Sequence, residues 1–116
     1  MRQFPLNRTY SLKRHKEFRY TYRAGRRVNA GCFALVTARN RSGKVQVGFS
    51  VSKKVGNAVT RNRVKRLLRE AIMPLTDRID DGFMYVIVAY PSIAEKDFFS
   101  VSKSVEQAFS RAGKLK

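Results

Sequence analysis

The stretch "SVSKKVGNAVTRNRVKRLLREA", residues 50–71, decides the fold of this chain. Apolar side chains recur in it and just beyond it at the spacing of one helical face: Val64, Leu67, Leu68, Ala71, Ile72 and Leu75. Such a stripe is typical of an amphipathic helix that packs against a core. Gly56 and Asn57 mark a turn before the stripe, and Asn57 or Thr60 is a suitable N-cap. The stretch therefore predicts a helix that begins near this turn and buries one face.

The same stretch is strongly basic, with its only acid at Glu70. The cations that precede this acid are Lys53, Lys54, Arg61, Arg63, Lys65, Arg66 and Arg69. At about 100° per residue, the side chains opposite the apolar stripe are Asn62, Lys65, Arg66 and Arg69. Backbone N–H groups at a helix N-terminus and arginine guanidinium groups both favour phosphate. A charge run is ordinarily a solvated face, but the concentration of this one at a helix start predicts polynucleotide binding.

The composition of the whole chain supports a polyanionic partner. Its 116 residues include 25 Lys and Arg against 8 Asp and Glu, a formal charge of +17. Nucleic acid is the first candidate and an anionic membrane the second. The longest apolar run, "FMYVIVAY" (83–90), is far shorter than the roughly 20 residues of a membrane span and is typical of a buried strand. The first ten residues lack the apolar core of a secretory signal, so we expect no membrane contact and a cytoplasmic protein.

Working outward, two apolar runs lie between the N-terminal region and the basic stretch. "CFALVTA" (32–38) and "KVQVGFSVS" (44–52) flank the turn "RNRSG", a pattern that predicts an antiparallel hairpin. In the second run, apolar residues alternate strictly with small or polar ones. One face of this strand should be buried, and Gly48, Ser50 and Ser52 should form a polar floor for an extended ligand.

Two further helices complete the pattern. Residues 11–24 predict a helix that ends at Gly25 and carries Phe18 and Tyr22 on one face. A capping-box pattern at Ser92 and Glu95 predicts a last helix that runs to about residue 111. Its expected core residues are Phe98, Val101, Val105 and Phe109. The order helix, strand, strand, helix, strand, helix indicates an α+β sandwich with a small sheet in one domain, 1–116, with an extended segment 1–10 and a short basic tail 112–116.

The sequence offers no convincing protein active site. His15 is the only histidine, and Cys32 lies in an apolar run that is typical of a core position. Asp77, Asp80 and Asp81 could bind a metal, but they fall in a turn next to Gly82, where aspartate is common for local hydrogen bonding. We therefore expect neither catalytic nor metal-ligating residues in the protein.

RNA is favoured over DNA as the polyanion. Aromatic side chains beside a polar strand face suit unstacked bases, so Phe18 and Tyr22 could stack on a single strand. The alternative is that this pair anchors its helix to the sheet. No helix-turn-helix, zinc-finger or zipper spacing for duplex DNA is evident.

The basic stretch closely resembles the signature of the bacterial ribonuclease P protein subunit. The residues that carry the resemblance are Lys53-Lys54-x-Gly56-Asn57-Ala58-Val59-x-Arg61-Asn62-Arg63-x-Lys65-Arg66-x-x-Arg69. The upstream helix, the hairpin, the strand "YVIVA" and the closing helix also follow the order of that family.

The resemblance implies a fold and a function. The fold is an α/β sandwich with a left-handed βαβ crossover, similar to domains of a small-subunit ribosomal protein and of the translocating elongation factor. The function is to assist a ribonucleoprotein endonuclease that removes the 5′ leader of precursor tRNA. The catalytic RNA subunit performs the chemistry and binds most of the Mg²⁺. The expected partners are this RNA and the leader, with no obligate protein partner.

The resemblance also assigns site residues. Contact with the RNA subunit is carried over to Lys54, Arg61, Asn62, Arg63, Lys65, Arg66 and Arg69. The cleft for the leader is carried over to Phe18, Tyr22, Ser50, Ser52 and Lys53. Some family members have an aromatic residue facing the leader where this chain has Val36, so a stacking contact is absent here or shifted to another residue.

Overall fold

The structure is a computed structural model that describes residue 20 and residues 23–40, 43 and 45–115. This part of the chain forms a four-stranded sheet of β1 (Arg26–Asn29), β2 (Phe33–Arg39), β3 (Gln46–Ser50) and β4 (Phe83–Ala89), in the order β1-β2-β4-β3. Two α-helices, α1 (Ala58–Ile72) and α2 (Phe98–Arg111), and two 3₁₀ helices, Met73–Leu75 and Pro91–Glu95, complete it. The α+β class predicted from the sequence is confirmed.

The predicted hairpin of the two early strands is wrong. β4 lies between β2 and β3, pairing antiparallel with β2 and parallel with β3. β2 and β4 are apolar on both faces, which suits the centre of a sheet, whereas the alternating β3 suits an edge. A parallel pair needs a long crossover connection, and α1 provides it. The βαβ unit implied by the family resemblance is therefore β3-α1-β4.

A fourth strand, β1, was not predicted. It is short and basic, and Val28 is its only apolar residue. It pairs antiparallel with β2, placing Arg27 opposite Val36 and Asn29 opposite Ala34. Because neither its length nor its composition is typical of a strand, the pairing with β2 and not its own pattern places it in the sheet.

The main core lies between one face of the sheet and both helices. Its fully buried side chains come from the sheet (Phe33, Leu35, Tyr85, Ile87), from α1 (Val64, Leu68, Ile72) and from α2 (Val101, Val105, Phe109). The apolar stripe predicted for α1 is thus confirmed, with Leu67 only half-buried. Within the described ranges, no helix is long and apolar enough to cross a membrane.

The predicted start of the last helix at Ser92 is wrong. Residues 91–95 form the second 3₁₀ helix, and extended backbone at Lys96 separates it from α2. The N-cap of α2 is Asp97, whose carboxylate accepts a 2.8 Å hydrogen bond from the Ser100 backbone N–H. That bond lowers the pKa of Asp97. The later start leaves Phe98, expected in the core, 43% exposed.

Two predicted segments are described only in part. In the predicted helix 11–24, Tyr20, Arg23 and Ala24 are described and are helical, whereas Phe18 and Tyr22 lie outside the described residues, as do residues 1–10. In the predicted C-terminal tail, Leu115 pairs with Ile79, and the Lys114 carbonyl accepts a 2.9 Å hydrogen bond from the Asp80 backbone N–H. The tail therefore packs against the turn after α1 up to residue 115.

Candidate RNA-binding site

The loop between β3 and α1 fixes where the basic helix begins. The Ser52 carbonyl accepts a hydrogen bond from the Val55 N–H (3.1 Å), and the Ser52 hydroxyl accepts one from the Lys54 N–H (3.3 Å). Asn57 caps the helix by accepting from the Thr60 N–H at 2.9 Å. A Cβ at Gly56 would lie 2.8 Å from the Thr60 Cγ2 atom, so only glycine fits this turn. Asn57, one of the two predicted caps, is thus confirmed as the cap.

The predicted RNA-contact side chains of α1 differ in exposure. Those that are exposed, on the loop and on the outer side of the helix, are Lys53, Lys54, Asn62, Arg66 and Arg69. Those that are half-buried are Arg61, Arg63 and Lys65. The guanidinium Nε of Arg61 donates to the Gly56 carbonyl at 3.2 Å, so this arginine folds back against the loop. The structure therefore brings the predicted cations together on the loop before α1 and along α1, with Arg69 in its last turn.

Arg63 makes a contact that the sequence did not reveal. Its Nη2 atom donates a 2.7 Å hydrogen bond to the carbonyl of Ala94, 31 residues away in the chain. Ala94 lies in the 3₁₀ helix that follows β4. This bond ties the basic helix to the segment after the central strand.

The sheet face away from α1 and α2 carries the predicted floor. Strand pairing places Gly48 and Ser50 of β3 next to Val86 and Val88 of β4. Val36 of β2 lies opposite Val86 and is 2% exposed. Gly48 and Ser50 are therefore present on this face as predicted, whereas Ser52, the third predicted residue, lies in the loop between β3 and α1.

Arg27 and Tyr90 lie at the far end of the same face and were missed by the sequence analysis. Arg27 lies opposite Val36 in the β1–β2 pair. Its Nη2 atom donates to the Tyr90 hydroxyl at 3.1 Å, and the Tyr90 N–H donates to the Cys32 carbonyl at 3.0 Å. The available signal was the aromatic residue at the end of the run "FMYVIVAY", but without the sheet order its face was unknown.

Cys32 and Asp80, two of the residues considered for chemistry, make structural contacts. Within residues 20, 23–40, 43 and 45–115, no three His, Cys, Asp or Glu side chains are grouped so that they could bind a metal. Cys32 is 5% exposed, and burial raises the pKa of its thiol, so the prediction of a core residue is confirmed. The Asp80 carbonyl accepts a 2.6 Å hydrogen bond from the Tyr85 hydroxyl. His15 lies outside the described residues.

The charge of the chain is divided unevenly along the sequence. Residues 1–69 contain 19 Lys and Arg and one acid, whereas residues 70–116 contain six Lys and Arg and seven acids. The loop before α1 and most of α1 belong to the first part, and all of α2 belongs to the second. The surface around α1 is therefore cationic, and the outer face of α2 has mixed charge.

Comparisons with known proteins identify the family of this chain. The family model for Ribonuclease P matches residues 6–113. A ribonuclease P protein component from Bacillus cereus (strain G9842) is 36% identical over 109 residues, which cover 93% of this chain and 95% of the relative. A counterpart from Bacillus anthracis (strain CDC 684 / NRRL 3495) is 34% identical, with 93% of this chain and 92% of the relative covered.

Solved structures match the fold as well. An RNase P protein mutant from Staphylococcus aureus with defective mRNA degradation activity superposes with a TM-score of 0.88 at 27% identity, covering 95% of this chain and 93% of that one. The RNase P protein from Thermotoga maritima superposes with a TM-score of 0.79 at 23% identity, covering 87% and 96% respectively. Since the family model matches nearly the whole chain and curated relatives align over most of their length, this chain belongs to the ribonuclease P protein family.

Proposed function

We propose that this chain is the protein subunit of a ribonuclease P ribonucleoprotein. It binds the catalytic RNA through α1 and the 5′ leader of precursor tRNA along the adjoining strand face, and it assists endonucleolytic removal of the leader. The RNA carries the catalysis. The observation that carries this proposal is the placement of exposed cations on the loop and helix that directly follow Ser50 of β3.

The residues of α1 serve RNA-subunit binding in two ways. Exposed Lys54, Arg66 and Arg69 offer cations to phosphate groups without giving up an internal contact, and Asn62 adds an amide. Arg61 and Arg63 each use one N–H group on a backbone carbonyl. A guanidinium has five N–H donors, so the rest of each side chain is still available to phosphate.

The strand face serves the leader. Gly48 is buried, whereas half-buried Ser50 provides little bulk at the end of β3, so a single strand approaches the sheet there, next to exposed Ser52 and Lys53. Val36 has no aromatic ring on which a base could stack. Tyr90, at one end of this face, supplies such a ring. Phe18 and Tyr22 complete the cleft in this proposal, as the family resemblance implies.

Mg²⁺ is bound mainly by the RNA subunit. The protein raises its occupancy indirectly, because a cationic surface that fixes the RNA geometry brings phosphate ligands together without displacing the ions. Adding the protein should therefore lower the Mg²⁺ concentration at which the RNA reaches half of its maximal rate.

The test combines the purified protein with a bacterial RNase P RNA and a precursor tRNA at low Mg²⁺. We expect a gain in 5′ processing and tighter binding of leader-bearing substrate than of mature tRNA. No gain in processing contradicts the proposal. Equal binding of precursor and mature tRNA indicates a general RNA-binding protein. Mg²⁺-dependent cleavage by the protein alone, lost in Asp80→Asn with Asp81→Asn, indicates a free-standing nuclease.

A further inference from the structure

A second group of arginines lies along β1, apart from the basic helix. Arg26 and Arg27 lie on this edge strand and are exposed. Arg111, in the last turn of α2, is exposed as well, and its Nη1 atom donates a 3.0 Å hydrogen bond to the Asn29 carbonyl. Three guanidinium groups from two elements therefore lie along one edge of the sheet.

The charge of this group is not balanced by any carboxylate among the described residues. In the described part of the chain, the ion pair nearest to α2's last turn joins Arg78 to Glu106, and none of the three arginines forms an ion pair with a carboxylate. Arg27 and Arg111 are oriented by neutral acceptors, the Tyr90 hydroxyl and the Asn29 carbonyl. Such hydrogen bonds fix the direction of a guanidinium without neutralising it, and clustered like charges are destabilising unless an anion offsets them.

The β1 edge lies across the sheet from β3, where the proposed path of the leader begins. β1 and β3 are the two opposite edges of the sheet, about 14 Å apart at ~4.8 Å per strand spacing. Arg27 nevertheless shares a sheet face with Ser50 and Gly48. Val86 and Val36, which lie between them on this face, are 0% and 2% exposed. An RNA therefore reaches Arg27 from the β1 edge, where Arg26 and Arg111 also lie, and not across the face.

We propose that the β1 edge is a second RNA-binding surface, in which Arg26, Arg27 and Arg111 contact phosphodiester groups of the RNA backbone. Guanidinium forks suit phosphate oxygens, and contacts of this kind position an RNA without reading its sequence. The phosphates come either from the distal part of the leader or from the RNA subunit. The identity of these two RNAs rests on the proposed function, whereas phosphate binding at this edge does not.

Arg26→Gln is the most direct test, because the Arg26 side chain makes no hydrogen bond to another described residue and its loss should not affect folding. Lys103→Gln is the matched control: it also removes one exposed cation, but from the outer face of α2. Each variant is titrated against the RNA subunit alone and, in the holoenzyme, against precursor tRNAs with a short and a long leader. Thermal unfolding of both variants verifies the fold.

Arg26→Gln should weaken RNA binding about threefold at ~0.15 M salt, and Arg26→Gln with Arg27→Gln about three- to tenfold, as expected for exposed charge contacts. The slope of log K against log salt should become shallower by roughly 0.7 for each phosphate of a single strand that the variant no longer neutralises. Lys103→Gln should change neither quantity. A loss confined to the long leader assigns the phosphates to the leader, and a loss with the RNA subunit alone assigns them to that RNA.

Two results would overturn the proposal: equal effects of Arg26→Gln and Lys103→Gln, or no effect of the double variant on any RNA. The outcome is separable from that of the proposed function. If the wild-type protein fails to stimulate 5′ processing but the double variant still binds RNA more weakly than Lys103→Gln, the β1 edge is an RNA-binding surface and the subunit assignment is wrong.

Discussion

Arg63 and Arg66 lie one helical turn apart on α1 but have different surroundings. The sequence placed both in one basic motif and predicted a phosphate contact for each. In the structure Arg66 is exposed, whereas Arg63 is half-buried and donates to the Ala94 carbonyl at 2.7 Å. Under the proposed function, the exposed side chain would serve RNA binding alone, whereas the half-buried one would also stabilise the fold.

Substituting these two arginines should separate the two contributions. Arg66→Ala should make the salt slope of RNA-subunit binding shallower by about 0.9, or one phosphate contact, with stability unchanged within ~0.5 kcal/mol. Arg63→Ala should also destabilise the fold by about 1–3 kcal/mol, because it removes a charged hydrogen bond and leaves a carbonyl unpaired. Salt titrations of RNA binding measure the slope, and urea unfolding measures the stability of each variant. Equal stability of the two variants would mean that the Ala94 contact contributes little.

Tyr90 provides the residue-scale test of the leader path. Tyr90→Leu should weaken binding of leader-bearing precursor by about 1–3 kcal/mol if a base stacks on the ring, and should leave binding of leaderless tRNA unchanged. Tyr90→Phe is the control, because it keeps the ring and loses only the hydrogen bond to Arg27. Equal losses with both RNAs would indicate a structural role for Tyr90. Competition binding with the holoenzyme distinguishes the two cases.

At the scale of elements, the start of α1 determines where its cations lie. Asn57→Ala removes the cap on the Thr60 N–H and should destabilise the protein by about 1 kcal/mol. Because Arg61 and Arg63 lie in the first two turns, RNA affinity should fall as well. Asn57→Ser keeps a capping oxygen and should restore both quantities. Unfolding and RNA titration of the two variants check this, and a loss of affinity with Asn57→Ser as large as with alanine would exclude the cap as its cause.

The elements themselves were predictable where one pattern dominates. The apolar stripe of α1 and the turn before it were enough to predict that helix and its start. The alternation of apolar and polar residues in β3 was enough to predict which of its side chains share a face. The partners of β3 were not predictable from adjacency in the sequence. The apolar faces of β2 and β4 favour a central pair, and that signal outweighs the short turn between β2 and β3.

Other elements carried weaker or competing signals. β1 has a single apolar residue, and its strand conformation depends on β2. Two capping patterns lie before α2, and the cap forms at Asp97 and not at Ser92, with extended backbone at Lys96 between the 3₁₀ helix and α2. For the candidate site, the cations and the floor were predicted, whereas Arg27, Tyr90 and the Ala94 contact depend on residues brought together only by the fold.

For the molecule as a whole, two ionisable groups in the core make stability depend on alkaline pH. Burial is the largest cause that raises the pKa of Tyr85, followed by the charges of Asp80 and Asp81, and burial also raises the pKa of Cys32. The unfolded chain therefore loses these protons at lower pH than the folded chain. Their contribution to stability is complete below the ordinary pKa values of about 8.5 and 10 and is lost as pH rises above them.

The free energy of unfolding should consequently decrease between about pH 8.5 and pH 11. Tyr85→Phe removes the buried phenol and should reduce this decrease, although it also costs about 1 kcal/mol at neutral pH through the lost hydrogen bond to the Asp80 carbonyl. Cys32→Ala should reduce the decrease further. Urea unfolding at several pH values measures both effects, and an identical pH profile for the wild type and the double variant would contradict this account.

The uneven distribution of charge should also affect the rate at which the protein associates with a polyanion. Exposed Lys53, Lys54, Arg66 and Arg69 concentrate positive charge around α1, whereas α2 carries both signs, so the described part of the molecule has an electric dipole. The electric field of a polyanion orients such a dipole before contact, with the cationic side toward the polyanion. A larger fraction of collisions then leads to binding. Added salt should therefore slow association much more than it speeds dissociation, and the outer face of α2 should point toward solvent when the encounter begins.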